Sequence, residues 1–352
     1  MTVLVVGKFY TEAFGLEIAE GFEALGHRVE RYEPGVTYLP GRGRLFKRWV
    51  QVRRIVHDMA SNVPLLRERQ GRALADAVDR ARPDLTVVCH DFLWPSEVET
   101  IRERSGAPVV LWFPDAIVNF GRTYFLNAPY DVLLFHDPYV VERLGEVAPG
   151  RVRYLPQAFA PQPYMTDFRP TDADRERYTC DICNVGNMYS YRAAFFEHLV
   201  DYDLKLWGNI PPMWMRADRL AHALTGAYVN GAEKTKAFRL ARVVVNNMHP
   251  GEFTGVNRRC FEVTGAGGLL MTDAKPALAG LFKDGTEILT FRTMAELRHK
   301  LDACLPDEDA RRAIARAGQA RAEAEHTYGH RLILLLDTVA GTADGFPMPS
   351  LP

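Results

Sequence analysis

Arg259 and Glu262 are the side chains whose types and spacing most directly suggest chemistry in this sequence. They lie three residues apart within residues 256–264, a stretch with helical spacing, so they are expected to share one helix face. The cation suits a phosphate group, and the carboxylate suits the two hydroxyls of a ribose. An ordinary βαβ unit with a solvated Arg–Glu pair has the same spacing, so the spacing alone leaves both interpretations open.

The surrounding residues 243–273 predict strand, Gly-rich loop, helix, Gly-rich turn and strand, in that order. VVVNNM is a β-branched run, and the following HPGEFTG contains Pro250, Gly251 and Gly255, which exclude a helix there. The glycines of GAGG then end the helix. A loop that opens a helix presents free backbone N–H groups and the positive end of the helix dipole, which favours an anion such as phosphate.

His90 and Asp115 are the second pair of candidates, and they follow two neighbouring predicted strands. Residues 85–89 and 109–113 are buried apolar runs, and a third run, 131–135, is followed by His136. In an open parallel sheet, ligands gather beyond the carboxyl ends of the strands. We therefore expect His90 and Asp115 to face one cleft, although a lone histidine is more often structural.

The elements that must position these residues form two similar α/β halves. Residues 3–6, Gly7, a helix at 11–25 with Thr11 as its candidate cap, and residues 29–32 make a βαβ opening typical of doubly wound sheets. The first turn lacks the GxGxxG pattern, so no dinucleotide site is predicted there. The Pro-rich segment 156–177 separates the halves. The predicted domains are 1–160 and 161–329, with residues 330–352 as a helix returning to the first domain plus a tail.

The overall composition excludes several classes of protein. With 352 residues, of which 47% are apolar, the chain can bury a core in each of two domains. The net charge of −1 gives no reason to expect nucleic acid as a partner. No stretch approaches the roughly 18 apolar residues of a membrane span. Five scattered cysteines predict neither a disulfide framework nor a zinc site, so we expect a soluble cytoplasmic protein.

One basic run stands out from this balance. Residues 41–54, GRGRLFKRWVQVRR, hold six basic residues and no acidic one. The run could contact an anionic acceptor or a membrane surface, but such runs are more often a solvated helix face.

The order of several motifs resembles the CgeB-like glycosyltransferases, which belong to the GT-B class of family 4-type sugar transferases. CDICNVGNMYSYR is similar to that family's strand-Gly-Asn loop with a downstream arginine, and LKLWGN is similar to its strand ending in aromatic-Gly. VNRRCFE resembles the motif N-x-R-x-F-E, here Asn257, Arg259, Phe261 and Glu262. In the first half, VVLWFPD, YDVLLFHD and VRYLPQA are similar to the family's strand-Asp, Tyr-Asp and Leu-Pro segments.

The resemblance implies a GT-B fold, in which two Rossmann-like domains face a cleft. The first domain would bind an unidentified acceptor, and the second a UDP-, GDP- or TDP-linked sugar. Glu262 would hold the ribose, residues 254–256 would offer N–H groups to the diphosphate, and Arg259 or Arg192 would balance its charge. Helix ends and basic side chains would serve in place of a metal, and no DxD motif with a flanking apolar strand is present in the second half, so neither a metal nor another cofactor is expected. The implied nucleotide-binding residues are Gly186, Asn187, Arg192, Gly208, Thr254, Gly255, Val256, Asn257, Arg259 and Glu262.

The sequence departs from the family at one position. Many family 4-type enzymes carry two glutamates eight positions apart, but the residue eight before Glu262 is Thr254. Either the nearer acid, Glu252, replaces the missing glutamate from a shifted loop, or backbone groups do. Glu252 and Gly7 are the candidate donor-sugar contacts.

The predicted activity is transfer of a sugar, of hexose type, from a nucleotide sugar to an acceptor. His90 or Asp115 could act as the general base if the reaction inverts, whereas the leaving phosphate could take the proton if it retains. One alternative is a GT-B sugar-nucleotide epimerase or hydrolase with the same pocket. Another is a catalytically silent nucleotide- or glycan-binding subunit, which Thr254 favours and the intact Asn257, Arg259 and Glu262 oppose.

Overall fold

The computed structural model describes residues 1–34, 63–119, 123–209, 211–212 and 214–351. Its described strands form two parallel sheets, one from each half of the chain. The predicted α/β class is therefore confirmed. The basic run 41–54 lies outside the described residues.

The first sheet has the strand order β2-β1-β3-β4-β5-β6 among the described residues, and every ladder in it is parallel. The order reverses between β1 and β3, so the crevice of this sheet opens where Gly7 and His90 follow those strands. Its strands are β1 (Thr2–Val6), β2 (Arg28–Tyr32), β3 (Leu85–Val88), β4 (Val109–Phe113), β5 (Val132–Phe135) and β6 (Val152–Tyr154). Its helices are α1 (Phe14–Ala24), α2 (Pro64–Ala81), α3 (Pro95–Ser105) and α4 (Pro138–Val147).

The second sheet has the order β11-β10-β9-β7-β8 in the described part of the chain, again with parallel ladders. Its order reverses between β7 and β9. The strands are β7 (Cys180–Val185), β8 (Leu204–Trp207), β9 (Ala241–Asn246), β10 (Leu270–Asp273) and β11 (Leu289–Phe291). The helices are α5 (Pro163–Thr166), α6 (Asp172–Tyr178), α7 (Ser190–Phe196), α8 (Gly231–Leu240), α9 (Arg259–Gly265), α10 (Met294–Cys304), α11 (Glu308–Glu325) and α12 (Tyr328–Val339).

Short 3-10 helices lie between some of these elements. They are Ile117–Asn119, Tyr124–Leu126, Glu197–Leu199, Asp218–Leu220 and Pro276–Gly280.

The apolar runs form parallel strands because both faces of each sheet are covered. Along β1, successive side chains point to opposite faces. Val3 and Val5 pack with Trp112 in one core, while Leu4 and Val6 pack in the core on the other face. The strands are therefore buried throughout, and polar side chains collect at their ends.

The last helix, α12, packs against α1 of the first half although it follows the second sheet in the chain. Leu332 is fully buried in the core that contains Val3 and Val5. Its Cδ1 lies so close to Gly21 that a Cβ there would come within 2.6 Å of it. A glycine on α1 thus lets the two helices approach closely.

Two predicted helix starts are wrong by about one turn. The first helix begins at Phe14 after Ala13, and Thr11 does not cap it, because Glu12 takes a left-handed conformation with φ of 63°. The helix that carries Glu262 begins at Arg259 instead of residue 256. The side-chain Oδ1 of Asn257 accepts a hydrogen bond from the N–H of Arg259 at 3.1 Å, in the turn just before this helix.

Replacing Leu332 with Ala should lower the free energy of unfolding by about 2–5 kcal/mol, because it leaves a cavity between α12 and α1. Urea unfolding would measure the loss. The matched control is Ile333→Ala, since Ile333 is half exposed on the same helix and should cost less than about 1 kcal/mol. Equal losses in the two variants would show that α12 does not dock against α1.

Candidate active site between the two sheets

Two guanidinium groups converge on Gly186 at the carboxyl end of β7, beside the strand-order reversal of the second sheet. A Cβ added to Gly186 would lie 2.7 Å from Nη1 of Arg192 and 3.2 Å from Nη2 of Arg259. Gly186 has a φ of 151°, a conformation that other residues rarely adopt. Gly208, at the end of β8, approaches so closely that its added Cβ would meet the Gly186 carbonyl oxygen at 2.1 Å. Both glycines are thus required by the backbone geometry.

Arg192 is held in place by neutral groups. Its Nε donates to Oδ1 of Asn247 at 3.1 Å and its Nη1 to the carbonyl of Asn187 at 2.8 Å. The guanidinium also lies 4.7 Å from the ring centre of Tyr189. Burial, with a smaller effect of the neighbouring Arg259, lowers the pKa of Arg192 to about 10 against the opposing effect of Tyr189, so the cation is retained at neutral pH.

This cluster also contains hydrogen-bond donors that nothing in the described residues accepts. Nδ2 of Asn247 and Nη1 of Arg259 are both buried without a hydrogen-bond partner there. Buried donors are almost always paired in folded proteins, and donors left unpaired beside two cations suit an anionic ligand. The arrangement is therefore a candidate anion site.

Glu262 lies next to this anion site and is surrounded by three cations. Its Oε1 is 2.9 Å from Nζ of Lys234 and 2.8 Å from Nε of Arg258, and its Oε2 is 3.2 Å from Nε of Arg259. Burial alone would raise the pKa of Glu262, but the three cations hold it well below its usual range. The carboxylate is therefore ionised at neutral pH.

The same cations bind acidic residues of the first half. Lys234 pairs with Glu12 at 2.7 Å, and Arg258 pairs with Glu17 of α1 at 2.6 Å. The Glu12 carboxylate also accepts a hydrogen bond of 2.7 Å from the N–H of Gly231, the first residue of α8. An ion network thus joins the two halves through Glu262.

A cavity of about 300 Å³ opens beside this network. Glu262, Lys234 and Arg258 line it, together with Glu17 of α1. Burial raises the pKa of Glu17 to about 8 against the opposing effect of Arg258, and its Oε2 has no hydrogen-bond partner among the described residues. The cavity therefore offers polar groups close to the Glu262 carboxylate.

His90 and Asp115 follow the ends of β3 and β4 in the first half. His90 has a φ of 135°, and its ring packs against Phe92 and Phe113. Burial lowers the pKa of His90 to about 4 against the opposing effect of Asp115, so the imidazole is neutral at pH 7. Asp115 is exposed, and its Oδ1 accepts a hydrogen bond from the N–H of Ala116 at 2.9 Å.

His136, at the end of β5, forms a buried pair with Glu252 of the second half. The distance between Nε2 of His136 and Oε2 of Glu252 is 2.8 Å, and both side chains are at most 5% exposed. Burial opposes a charge on His136, but the Glu252 carboxylate outweighs burial and raises the pKa of His136 to about 9, with smaller contributions from Asp137 and Asp115. The pair is therefore ionic at neutral pH.

The adjacent loop docks against the same edge of the first sheet. The carboxylate of Asp137 accepts hydrogen bonds from the N–H of Phe253 at 2.7 Å and from Oγ1 of Thr254 at 2.7 Å. Oγ1 of Thr254 in turn accepts from the N–H of Tyr139 at 2.9 Å. A Cβ on Gly255 would lie 2.6 Å from the His136 carbonyl oxygen, so the loop and the first half are in close contact.

The sequence-predicted site residues do not form a single cluster in the structure. Around the order reversal of the second sheet lie Gly186, Asn187, Arg192, Gly208, Arg259 and Glu262, and Asn257 lies just before α9. The N–H of Thr254 is engaged by Asp137, at 3.2 Å, and Val256 is fully buried. Gly7 lies between Cys89 and Gly15, both about 3.2 Å from its added Cβ. The ligand roles of all these residues stay predictions.

Sequence reasoning did not single out His136, Asn247, Lys234, Arg258 or Glu12 as site residues. His136 and Asn247 could have been found, because each follows a predicted strand at its carboxyl end. Lys234, Arg258 and Glu12 give no such signal, since only the packing of the two halves brings them to Glu262.

Two further searches cover the described residues only. No group of three or more His, Cys, Asp or Glu side chains among them is arranged to hold a metal ion. None of the helices described is both long and apolar enough to cross a membrane.

Comparison with solved structures identifies the fold. A glycosyltransferase from Rickettsia africae ESF-5 has a TM-score of 0.67 at 13% identity, over 97% of this chain and 98% of that one. Anabaena HepE, determined in complex with UDP and glucose, has a TM-score of 0.64 at 11% identity, over 97% and 100%. The sucrose-phosphate synthase of Thermosynechococcus elongatus has a TM-score of 0.62 at 13% identity, over 97% and 98%. The chain has the GT-B fold of these glycosyltransferases.

A family model agrees with this fold over part of the chain. Residues 192–337 match the family described as glycosyl transferase-like. This region starts at Arg192 and contains Arg259 and Glu262, so a glycosyl transferase-like domain covers much of the second half. A comparison with curated protein sequences finds no matching relative.

The His136–Glu252 pair makes the free energy of unfolding depend on pH. Because the pKa of His136 rises from about 6.5 unfolded to about 9 folded, the pair stabilises the protein fully below about pH 6.5 and loses this effect as pH rises through about 9. The loss should be at most about 3 kcal/mol. Urea unfolding at several pH values would measure it as the difference between the wild type and His136→Gln.

The matched control for that series is His222→Gln, because His222 is exposed. It should follow the wild-type profile. If His136→Gln also ran parallel to the wild type between pH 6.5 and 9, the ionic pair would be absent from the folded protein.

Proposed function

We propose that the protein is a glycosyltransferase that moves a hexose from a nucleoside diphosphate sugar to an acceptor. The observation that carries the proposal is the anion site at the order reversal of the second sheet. Arg192 and Arg259 meet there, and the buried donors Nδ2 of Asn247 and Nη1 of Arg259 have no partner in the part of the chain that the structure describes. A diphosphate supplies both the negative charge and the acceptor oxygens that these groups lack.

Glu262 fits the ribose of the same ligand. An ionised carboxylate offers about four lone-pair sites. Lys234 and Arg259 donate hydrogen bonds to two of them, while Nε of Arg258 lies at ion-pair distance, 2.8 Å from Oε1. The lone pairs that remain on Oε2, whose partner among the described residues is Nε of Arg259 at 3.2 Å, suit a ribose hydroxyl. Because Arg259 contacts both Glu262 and the anion site, ribose and diphosphate would be neighbours, as they are in a nucleotide.

The reaction needs charge stabilisation on the departing diphosphate. As the acceptor oxygen bonds to the anomeric carbon, the bond from that carbon to the diphosphate breaks, and the electron pair goes to the diphosphate. Arg192 and Arg259 would stabilise this charge in a site that neutral groups hold rigid. The acceptor proton would go to Asp115 or His90 if the reaction inverts, or to the leaving phosphate if it retains.

Several finer assignments belong to this proposal. HepE, which has the same fold, is described in complex with UDP-glucose, so a UDP-linked hexose is one donor to test beside GDP and TDP forms. The Asn257, Arg259, Phe261 and Glu262 motif supports the CgeB-like subtype. With two arginines at the diphosphate, we expect metal-independent transfer, and we expect it in the cytoplasm.

Replacing Arg192 with Gln should raise the Kd of the nucleoside diphosphate by about 10- to 100-fold, because a buried charge-assisted contact is lost. Isothermal titration of UDP, GDP and TDP would identify the nucleotide and measure the change. The control is Arg242→Gln, since Arg242 is exposed near the start of β9 and pairs with Asp181. Wild-type protein that binds none of the three nucleotides would contradict the proposed function.

Replacing Glu262 with Gln should weaken the binding of that nucleotide about tenfold, but should leave the binding of its 2′,3′-dideoxy analogue unchanged. The reason is that the analogue has no ribose hydroxyls for the carboxylate to accept. Titration of both ligands against the wild type, Glu262→Gln and the exposed control Glu323→Gln would test this. An equal loss with both ligands would show that Glu262 acts only through the ion network and does not bind the ribose.

A further inference from the structure

The cavity of about 300 Å³ beside Glu262 is lined by both halves of the chain. Residues 11–20, which include the start of α1, contribute from the first half, and α8 and α9 contribute from the second. The segment 159–165, which connects the halves, forms a third wall. Neither Arg192 nor Arg259 of the anion site is among the lining residues. The cavity is therefore separate from the proposed diphosphate site, and its volume is that of a small-molecule pocket.

Part of the lining is apolar and aromatic. Phe159 and Phe238, both at most 2% exposed, and the half-buried Met165 contribute to it. The hydroxyl of Tyr164 belongs to the same lining and would lie 3.5 Å from a Cβ added to Gly231. An apolar stem would be buried against these side chains, and aromatic faces also attract cations.

Acidic groups outnumber basic ones in the rest of the lining. The charged lining residues are Glu12, Glu17, Glu20, Glu262, Lys234 and Arg258. Nζ of Lys234 lies 2.7 Å from the carboxylate of Glu12 and 2.9 Å from that of Glu262. Nε of Arg258 lies 2.8 Å from the carboxylate of Glu262. Glu12 and Glu262 thus offset the two cations of the lining, which leaves the two remaining acids in excess.

Glu17 is one of these remaining acids, and its hydrogen bonding is incomplete. The residue is 7% exposed, and its Oε1 accepts a hydrogen bond from Nη2 of Arg258 at 2.6 Å. Its Oε2 is buried without a hydrogen-bond partner among the described residues. Burial raises the pKa of Glu17 to about 8 against the opposing effect of Arg258. A buried carboxyl in this state is stabilised either by a proton or by a cationic partner at the second oxygen.

We propose that this cavity binds a small organic cation, a primary ammonium group on a short apolar stem. The ammonium would donate to Oε2 of Glu17, and the stem would lie against Phe159 and Phe238. Glu20 would add attraction from its exposed position in the lining. Such a ligand contacts both halves, so it should stabilise the junction between them. The inference does not depend on the proposed function, but Glu262 also lines the cavity, so the experiment must separate the cation from a nucleotide.

Butylammonium is the probe, and n-butanol is its neutral counterpart of nearly the same shape. Ligand-observed NMR titration against the wild-type protein would give the Kd of each. Butylammonium should bind at least about tenfold more tightly than n-butanol, because only the cation can neutralise Glu17. Equal Kd values, or no binding of butylammonium, would overturn the inference.

Glu17→Gln removes the charge and keeps the shape of the side chain. It should raise the Kd of butylammonium at least about tenfold and leave the Kd of n-butanol unchanged. Glu20→Gln should raise the Kd of butylammonium only about two- to threefold, because solvent screens an exposed charge. Glu323→Gln, exposed on α11 outside the lining, should match the wild type. An unchanged Kd of butylammonium in Glu17→Gln would contradict the assignment.

The pH profile of the wild type tests Glu17 without any substitution. Because the pKa of Glu17 is about 8, binding of a cation at lower pH requires the carboxyl to lose its proton. The Kd of butylammonium should therefore fall at least about tenfold between about pH 6 and pH 8, a range in which the probe stays charged. The other titratable or charged groups around Glu17 are Arg258, Lys234, Glu262, Glu12, Tyr164 and Tyr328. A flat profile would show that Glu17 does not bind the cation.

Competition with UDP, GDP and TDP distinguishes this cavity from the nucleotide site. If a nucleotide displaces butylammonium from the wild type, the cavity belongs to the nucleotide site, and only this inference is overturned. If the wild type binds no nucleotide but binds butylammonium in a way that depends on Glu17, the proposed function is wrong and the inference stands. Simultaneous binding of both ligands supports both assignments.

Discussion

The buried carboxylate of Glu262 is the constraint on which the rest of the site depends. A charge of this kind cannot be buried alone, and here Lys234, Arg258 and Arg259 neutralise it. Three cations around one carboxylate leave an excess of positive charge, which Glu12 of the first half partly balances, while Glu17, whose pKa burial raises to about 8, accepts a hydrogen bond from Arg258. Removing one partner from such a network typically costs about 3–5 kcal/mol, because the others are left unpaired. The groups that shape the candidate ribose site are therefore the same groups that join the two halves.

In the anion site, by contrast, the groups that hold Arg192 are neutral. Asn247, Asn187 and Tyr189 surround Arg192, and they fix its position without neutralising its charge. The positive charge there stays available to a ligand, whereas the cations around Glu262 are paired with carboxylates. Arg259 belongs to both clusters, so a ligand bound at Gly186 would act directly on the ion network. Two residues with positive φ lie at the edges of the first half: Glu12, which pairs with Lys234, and His90, which follows β3.

The sequence predicts much of this fold because buried β-branched runs and Gly–Pro punctuation mark parallel strands and their ends. The positions of His90, Asp115 and Gly186 after strand ends follow from that pattern alone. Details that depend on local hydrogen bonds do not: the N–H of Arg259 bonds the Asn257 side chain in the turn before α9, and Glu12 turns the chain before α1. The division of the chain at residue 160 and the roles of the site residues stay predictions.

Sequence patterns could not predict the contacts between the halves, for a physical reason. Lys234 and Glu12 are 222 positions apart, and His136 and Glu252 are 116 apart, so neither helical nor strand periodicity links them. The family resemblance shows that the acid expected at residue 254 is absent, but only the packing shows that Thr254 anchors the loop to Asp137.

These contacts bear on how a transferase of this kind could limit hydrolysis of its donor. Water competes with any acceptor for an activated sugar, so the site must exclude it while both substrates are bound. The Asp137–Thr254 anchor and the His136–Glu252 pair bring the loop of the second half against the ends of β4 and β5. The loop of the second half thus contacts Tyr189 near the anion site and Val118 of the first half, three residues after Asp115. The buried ion pairs that hold the two halves together would also define the position of the sugar.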